Sequence, residues 1–329
     1  MKALFIGGSG VISSACVRRA ADDGFDVTVL NRGRSTTRPL PAGVRELRAD
    51  VRDLPAVRDA LAEETFDVVA DFLAFTPAHV RAAVETFAGR TGQYVFISSA
   101  SAYQTPPARL PITESTPLRN PFWGYSRNKI AAEDVLVGEY REDGFPATIV
   151  RPSHTYDATM VPLPGGWTTV ERMRRGAEVV VPGDGTSLWV LTHNSDFAAG
   201  FTGLLGATSA IGEAFHITSH EVLTWNQIYT LMAEAAGVEP RLVHVASEAI
   251  AAADPELGAS LLGDKAHSVI FDNAKVRRLV PDFSAKVPFA RGAREIVDWY
   301  DADPARRAVD EDTDRLLDAL VAAYRPRSL

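Results

Sequence analysis

Residues 2–13 read KALFIGGSGVIS and carry the main signal for the fold class. The first five of these residues form a short, mostly apolar run, and three glycines follow within the next four positions. Apolar residues then recur at helical spacing between Ile12 and Ala20. This order predicts a buried strand, a glycine-rich turn and a helix, which together open a parallel α/β sheet.

The same alternation of short apolar runs and helical patterns continues through the first half of the chain. Further strands are predicted at 26–30, 66–70, 94–97 and 147–150, and helices between them, for example at 55–63 and 77–87. Strands separated by helices indicate right-handed crossovers and a parallel sheet that is covered on both faces. We therefore predict an α/β fold with a Rossmann-type, doubly wound parallel sheet and a smaller, mixed C-terminal substrate domain.

The pattern changes near residue 157. Prolines and glycines break it into short pieces between 162 and 185, and helical patterns return at 223–236 and 313–323. We predict a dinucleotide-binding domain over 1–157, with a later segment near 190–218 returning to it. Residues 158–329 are predicted to form mostly a substrate-binding domain.

Composition excludes several classes of protein. The 329 residues carry 42 acidic and 34 basic side chains, a net charge of −8 that disfavours a nucleic-acid partner. The single cysteine, Cys16, has no internal disulfide partner, which fits a reducing compartment. No apolar run approaches the roughly 18 residues of a membrane span, and glycines follow the start too early for a signal peptide. We expect a cytoplasmic protein without a membrane partner.

The glycine-rich turn is a candidate phosphate-binding loop. Glycines permit a tight turn and let a pyrophosphate approach backbone N–H groups at the positive end of a helix. Gly7 and Gly10 have the spacing of a dinucleotide-binding fingerprint, whereas its third position is Ser13, so helix and strand are expected to lie slightly further apart. The alternative is a purely structural turn. The candidate cofactor contacts are Gly7, Ser9, Gly10, Val11 and Ile12.

The end of the second predicted strand bears on the choice between NAD and NADP. No carboxylate stands there to accept hydrogen bonds from a ribose 2′-hydroxyl; the residues are Asn31 and Arg32, with Arg34 close behind. An arginine is suited to a 2′-phosphate, which favours NADP, although both arginines could be ordinary surface residues. Asp50 and Val51 are candidates for the adenine edge, with a surface turn as the alternative.

Tyr125 and Lys129 are four residues apart and therefore share one face of a predicted helix. A phenol is a weak base at neutral pH, but a nearby ammonium and an oxidised nicotinamide stabilise the phenolate and lower its pKa. The tyrosine can then take a proton from a substrate hydroxyl as hydride leaves the same carbon. The lysine is also a candidate to hold the nicotinamide ribose.

A run of serines follows the predicted strand at 94–97. Ligands of open α/β sheets bind beyond the carboxyl ends of the strands, so a hydroxyl there can donate to a nascent carbonyl oxygen. For any single serine, a bond to its own backbone is the alternative.

These features together resemble the extended short-chain dehydrogenase/reductase superfamily, in its NAD-dependent epimerase/dehydratase branch. The Asn-Arg-Gly after the second strand looks most like chloroplast stem-loop-binding proteins and their bacterial relatives. The matching motifs are GGSGVIS at 7–13, RADVRD at 48–53, VFISSASAY at 95–103, YSRNK at 125–129, IVRPSHTYD at 149–157, VPGDG at 181–185 and GEAFHITS at 212–219. The resemblance implies that Tyr125 is the acid/base, Lys129 its partner and Ser99 the catalytic hydroxyl. It also implies a homodimer that pairs through two helices.

Departures from the family pattern narrow the chemistry. Dehydratases of this branch carry an acid pair where Ala100 and Ser101 stand, and epimerases that deprotonate carbon need a further base, whereas Cys16 lies in the first helix. The position of a diphosphate-binding arginine is occupied by Trp189, and that of a common asparagine by His154. These departures argue against a nucleoside diphosphate sugar.

The substrate pocket is expected to involve the 160–170 loop and residues from several segments. For the tryptophans Trp189 and Trp167, stacking on a ligand and packing in the core both remain open. The histidines are scattered and no HExxH or CxxC occurs, so no metal is expected. The candidate substrate contacts are Ser99, Ser101, His154, Trp189 and Trp123.

Three functional hypotheses follow from these residues. The leading one is an NAD(P)-dependent epimerase that inverts a hydroxyl-bearing carbon of a sugar-like or nucleoside-like substrate through a transient ketone. The second is an NADP-dependent dehydrogenase or reductase with net redox, since the same residues serve both. The third hypothesis, from another class of protein, is a stem-loop RNA-binding protein. The net charge of −8 argues against it.

Overall fold

The structure is a computed structural model that describes residues 1–325. The strands are β1 (Lys2–Ile6), β2 (Asp26–Asn31), β3 (Arg45–Arg48), β4 (Val68–Asp71), β5 (Tyr94–Ile97), β6 (Ala147–Pro152), β7 (His154–Tyr156), β8 (Glu178–Pro182), β9 (Leu188–Trp189), β10 (Leu191–His193), β11 (Ala214–Ile217), β12 (Leu223–Thr224) and β13 (Arg241–Val245). The helices are α1 (Val11–Asp22), α2 (Leu54–Leu61), α3 (Pro77–Phe87), α4 (Gly124–Asp143), α5 (Trp167–Arg174), α6 (Asn194–Thr202), α7 (Trp225–Ala235), α8 (Ser247–Ala253), α9 (Pro255–Ser260), α10 (Ala274–Leu279), α11 (Phe289–Asp301) and α12 (Glu311–Tyr324).

Seven strands form one sheet in the order β11-β6-β5-β4-β1-β2-β3. Every neighbouring pair is parallel. The register pairs Ile6 with both Leu30 and Asp71, so β1, β2 and β4 end at the same edge of the sheet. The predicted doubly wound α/β fold is confirmed, and the strand order reverses direction beside β1, where such sheets bind ligands.

Apolar side chains on both faces of the sheet explain why it is buried. On one face, α1 packs against α6, with Val17 and Phe201 meeting Phe5 of β1. On the other face, α2, α3 and α4 cover β1, with Val80 and Leu136 in the same cluster as Leu4. Successive residues of β1 therefore point into two separate cores, as a strand buried on both faces requires.

A second region is built around β8, which pairs in parallel with β13. Its core contains Trp225 and Tyr229 of α7 and Phe289 and Ile296 of α11. The segment between 190 and 218 contributes α6 and β11 to the large sheet and its covering layer. The division of the chain into 1–157 and 158–329 stays a prediction. None of the helices in residues 1–325 is both long and apolar enough to cross a bilayer.

Two differences between the structure and the sequence-based elements have a clear physical cause. Sequence reasoning missed β3, because its residues RELR are charged at three of four positions and none is fully buried. Such a pattern suits an edge strand, which natural sheets often protect with charge. The predicted helix at 223–236 begins later, at Trp225, because Thr224 accepts from the backbone N–H of Gln227 and caps it.

Candidate functional site

Two cavities meet beyond the carboxyl ends of the sheet strands. The larger cavity, about 810 Å³, runs from the glycine-rich loop at 7–13 along the ends of β1, β2 and β4 to α4. The smaller cavity, about 300 Å³, lies between the ends of β5 and β6 and the second region. The residues that line both are Val11, Ser99, Tyr125, Pro152, Ser153 and Thr155. Two of the three predicted catalytic side chains therefore stand where the cavities join.

The glycine-rich loop is fixed by close packing. Gly7 has φ +84°, and a Cβ there would lie 2.7 Å from Leu73 Cγ. A Cβ on Gly8 would lie 2.7 Å from Val29 Cγ1, so neither position accepts a side chain without movement. Ser9, Gly10, Val11 and Ile12 also line the larger cavity, so the predicted loop contacts all border it.

The serine that replaces a third glycine has a structural role. Ser13 is buried, and its Oγ accepts a hydrogen bond of 2.9 Å from the backbone N–H of Gly10. That bond satisfies one of the N–H groups that a helix start leaves without an intrahelical partner. The other N–H groups at the start of α1 border the cavity where an anion would be favoured.

The predicted adenosine-binding residues gather at the far end of the larger cavity. Asn31, Arg32, Arg34, Asp50 and Val51 all line it. Asn31 Oδ1 accepts from the backbone N–H of Gly33 at 2.6 Å and shapes the turn. Arg32 forms an ion pair of 3.8 Å with Asp50, and both side chains are well exposed. The carboxylate of Asp50 therefore lies beside Arg32 at this end of the cavity, a contact that the sequence analysis did not predict.

Lys129 is buried one turn after Tyr125 on α4. Its Nζ donates to the carbonyl oxygens of Ala74 and Ile97, each at 2.7 Å. An ammonium has three N–H donors, so these bonds leave one for a ligand or for Tyr125, whose ring centre is 5.8 Å away. Burial is the main cause that lowers the pKa of Lys129 to about 8.

The pKa of Tyr125 in the protein alone is set mainly by burial. Burial raises the pKa of its phenol, hydrogen bonding with Ser99 lowers it, and the charge of Asp264 raises it. In the protein alone, burial is therefore the main influence on this phenol, while the Lys129 ammonium is held by two backbone carbonyls. The lowered pKa expected beside Lys129 and an oxidised nicotinamide stays a prediction.

Ser99 belongs to a chain of hydroxyl groups. Ser99 Oγ and Ser101 Oγ are 2.8 Å apart, and Ser126 donates to Ser101 Oγ at 2.7 Å. Asn120 Nδ2 fixes the backbone by donating to the carbonyl oxygen of Ser101 at 2.9 Å. The chain links the end of β5 to α4 and holds the Ser99 hydroxyl beside Tyr125.

Ser98, the preceding residue, faces the opposite way. Its hydroxyl donates to Glu133, whose carboxylate forms a buried ion pair of 2.5 Å with Arg151 of β6. All three side chains are buried under the sheet end. This group joins α4 to the sheet and so supports the helix that carries Tyr125.

His154 and Trp189 form one wall of the smaller cavity. The indole N–H of Trp189 donates to His154 Nδ1 at 3.1 Å, and burial lowers the pKa of His154 to about 3. The imidazole is therefore neutral and carries its proton on Nε2, which has no partner among residues 1–325. Trp189 is 2% exposed and stacks on Trp225 with ring centres 5.4 Å apart, so it serves the core and the wall together.

Trp123, Asp264 and Lys265 form a second wall. The Trp123 ring centre is 4.8 Å from that of Tyr125, and Lys265 Nζ lies 5.4 Å from the Trp123 ring. Asp264 and Lys265 belong to a π-helical turn, Leu261–Lys265, in which a Cβ on Gly263 would lie 2.7 Å from Trp123. Sequence reasoning missed both charged residues.

The 160–170 loop contributes less than expected. Met160 lines the smaller cavity. Trp167 instead stacks on Tyr300, with ring centres 4.2 Å apart and planes 5° from parallel. Of the two interpretations of Trp167, packing in the core is the one that the structure supports.

A pair of side chains spans the phosphate loop. Arg38, from the loop between β2 and β3, donates to Asp157 through Nε at 2.5 Å and Nη2 at 3.1 Å, and to Thr159. Its Nη1 lies 3.5 Å from the carbonyl oxygen of Ser9. We call this pair the Arg38–Asp157 clasp. It ties the loop after β2 to the residue after β7 and reaches the backbone of Ser9, which lines the larger cavity.

Residues 1–325 hold no cluster of three or more histidine, cysteine, aspartate or glutamate side chains arranged for a metal ion. His216, one of the histidines considered in the sequence, is buried and bonds the Tyr103 hydroxyl at 3.0 Å. His193 caps the start of α6.

The strand order, the glycine-rich loop and the site beyond the strand ends define a Rossmann-type dinucleotide-binding fold. The model of the NAD dependent epimerase/dehydratase family matches residues 3–218. The chain therefore belongs to this family of short-chain dehydrogenase/reductase enzymes, as its sequence resemblance predicted.

Curated relatives match over shorter spans. The chloroplast stem-loop binding protein of 41 kDa b from Arabidopsis thaliana is 27% identical over 261 residues, 74% of this chain and 65% of that protein. UDP-glucose 4-epimerase of Lactobacillus helveticus is 31% identical over 168 residues, 46% of this chain and 51% of that protein. The chain thus spans between about half and two thirds of the length of these relatives.

Solved structures share the fold over almost the whole chain. An epimerase from Methanothermobacter thermautotrophicus superposes with TM-score 0.77 at 16% identity, covering 93% of this chain and 94% of its own. The UDP-glucose 4-epimerase from Bifidobacterium longum, in complex with NAD⁺ and UDP, gives TM-score 0.74 at 18% identity over 92% and 99% of the two chains. At these identities the likeness establishes the fold.

Proposed function

We propose that this protein is an NAD(P)-dependent epimerase that inverts a hydroxyl-bearing carbon of a sugar-like or nucleoside-like substrate. The observation that carries the proposal is the meeting of the two cavities at Ser99 and Tyr125. A group in the smaller cavity and a cofactor in the larger one would both reach these hydroxyls. The family membership and the buried Lys129 on the same helix support it.

The larger cavity fits a dinucleotide. Its loop end offers the backbone N–H groups of the α1 start for a pyrophosphate, and its far end offers Asp50 and Val51 for an adenosine. Lys129, at the other end, has one N–H left for a ribose hydroxyl. When bound, the nicotinamide would accept a hydride from the substrate carbon and return it.

Side chains of the protein would transfer the proton of the reacting hydroxyl. Tyr125 Oη takes the proton of the substrate hydroxyl as the C–H bond breaks, and returns it to the oxygen when hydride comes back to the other face of the ketone. The Ser99 hydroxyl, held by Ser101, donates to the oxygen that becomes the carbonyl. With the oxidised cofactor bound, the charge of Lys129 would help to stabilise the phenolate form while the proton is away. No further base is required for inversion.

The Arg38–Asp157 clasp favours the epimerase over the exchanging reductase. A cofactor that is oxidised and reduced within one turnover needs no exchange, and a charged pair whose arginine reaches the Ser9 carbonyl in the phosphate loop would slow its release. A dehydrogenase or reductase with net redox remains the alternative, since Ser99, Tyr125 and Lys129 serve it equally.

Arg32 and Arg34 along the cavity favour NADP, whereas the Bifidobacterium structure carries NAD⁺. We also propose a homodimer, as the family resemblance implies.

The stem-loop RNA-binding hypothesis is not favoured. One relative carries that name, but the chain has a net charge of −8, which repels a phosphate backbone. A salt-sensitive shift of structured RNA by submicromolar protein would revive it.

The test of the proposed function is the nucleotide that leaves the freshly purified protein on heat denaturation, identified by chromatography and mass. We expect close to one NAD or NADP per chain. A protein that arrives empty and then binds added NADPH supports the exchanging reductase. A protein that is empty and binds neither dinucleotide contradicts both enzyme hypotheses.

A further inference from the structure

We propose that the smaller cavity takes an uncharged, polyhydroxylated ring compound without phosphate, and that it rejects nucleoside diphosphate sugars. The inference rests on the proposed function, because it concerns the substrate of the same site. It is carried by the charges and hydrogen-bonding groups that line this cavity.

The side chains that line the smaller cavity carry almost no net positive charge that could bind an anion. Lys265 is its single basic side chain within residues 1–325, and the Asp264 carboxylate lies 3.6 Å from its Nζ. His154 is neutral, because its Nδ1 accepts from Trp189 and burial lowers its pKa to about 3. A diphosphate is a multiply charged anion, and burying it without matching cations is strongly unfavourable.

The tryptophan wall cannot supply the missing cation. Trp189 gives its one N–H to His154 and packs its ring against Trp225. Burial raises the pKa of Asp264, and the nearby Lys265 lowers it. In its ionised form Asp264 would repel a phosphate placed beside Lys265, and repulsion in a partly buried site is screened little by salt. The cavity therefore contains a carboxylate that disfavours anions, and its one ammonium group, that of Lys265, is already paired with this carboxylate.

The same groups suit a ring with several hydroxyls. His154 Nε2–H is a fixed donor, Asp264 is an acceptor with oxygens that Lys265 does not saturate, and Tyr125 and Ser99 meet the reacting hydroxyl. Trp123 provides an aromatic surface for the apolar C–H face of a ring. The volume of about 300 Å³ is at the small end of ligand sites.

The first experiment compares two matched pools with the cofactor-loaded protein, using the fluorescence of reduced nicotinamide as the signal. One pool holds neutral hexoses, pentoses and inositols, and the other holds the UDP and dTDP derivatives of the same sugars. We expect reduction by a member of the neutral pool alone. Reduction by the nucleotide pool, or by neither pool, overturns the proposal.

These outcomes separate the substrate proposal from the proposed function. Reduction by nucleotide sugars leaves the epimerase intact and removes only the neutral substrate. A chain that contains no dinucleotide and binds none removes the epimerase itself. The loading of the protein with cofactor is therefore measured before either pool is added.

The second experiment tests the role of Asp264 by calorimetry with UDP and by kinetics with the neutral compound found above. Asp264→Asn is expected to raise KM for the neutral compound about 10-fold, through loss of a charge-assisted hydrogen bond. The exposed Asp282→Asn is the matched control and should leave KM unchanged. Micromolar binding of UDP to the unmodified, cofactor-loaded protein, or an unchanged KM in Asp264→Asn, contradicts the proposal.

Discussion

Replacement of Arg38 by alanine is expected to turn a retained cofactor into a readily released one. Arg38 makes two hydrogen bonds to Asp157, of 2.5 and 3.1 Å, and a third to Thr159. The side chains of Arg38 and Asp157 are 18% and 9% exposed, so the pair is largely sheltered from water. The pair holds the loop after β2 over the carbonyl of Ser9, beside the proposed pyrophosphate site.

The size of the effect follows from these contacts. Hydrogen bonds to charged groups contribute about 1.5–3 kcal/mol each in net terms. Asp157 keeps its bonds of 2.9 and 2.8 Å from the backbone N–H and hydroxyl of Thr159 after the arginine is removed. We therefore take a net loss of about 2 kcal/mol, which corresponds to about 30-fold faster release of the cofactor.

The assay is displacement of bound cofactor by an excess of isotopically labelled cofactor, followed by rapid filtration and mass measurement. Asp157→Asn should release cofactor at an intermediate rate, because it keeps the shape of the clasp without its charge. Arg18→Ala, which removes an exposed arginine of α1, is the matched control. A release rate for folded Arg38→Ala within twofold of the unmodified protein would show that the clasp does not retain the cofactor.

Three further predictions concern α4 and its supports. Tyr125→Phe should lower kcat by about 10³-fold and leave cofactor binding unchanged. Tyr140→Phe, on an exposed part of the same helix, is the control. Equal losses of kcat in the two variants would contradict the acid/base role of Tyr125. Arg151→Met should destabilise the fold by about 3–5 kcal/mol in urea unfolding, since Glu133 is left buried without its partner; a change below about 1 kcal/mol argues against this. The pKa of Lys129 is about 8 in the folded protein and 10.5 ordinarily, so between these pH values the unfolded chain binds more protons. The free energy of unfolding, measured relative to that of Lys129→Met, should therefore rise with pH in this range. A fall of this difference with pH would contradict the prediction.

The fold was predictable because its signals are local. The apolar runs of β1, β2 and β5 are each followed by glycine, polar or serine residues, and the parallel sheet follows from their alternation with helices. Tyr125 and Lys129 were also within reach of the sequence, because a spacing of four residues on a helix fixes their shared face. The roles assigned to Ser99, Tyr125 and Lys129 stay predictions.

Contacts between distant segments were not predictable. Arg38 and Asp157 are 119 residues apart, and neither lies in a recognisable motif for an ion pair. Asp264 and Lys265 read as ordinary surface charges, and only the π-helical turn brings them to Trp123. Burial raises the pKa of Tyr125 in the protein alone, and the spacing between two residues does not reveal burial.

The fate of the hydrogen at the inverted carbon distinguishes a returned hydride from other routes of inversion. Turnover in D₂O, with whichever sugar reduces the bound cofactor in the pool experiment, is followed by NMR of the product and reports whether that carbon exchanges with solvent. A returned hydride predicts an inverted product with no deuterium at this carbon and no net consumption of cofactor. Deuterium at the inverted carbon, or one cofactor consumed per product, would contradict inversion by a returned hydride.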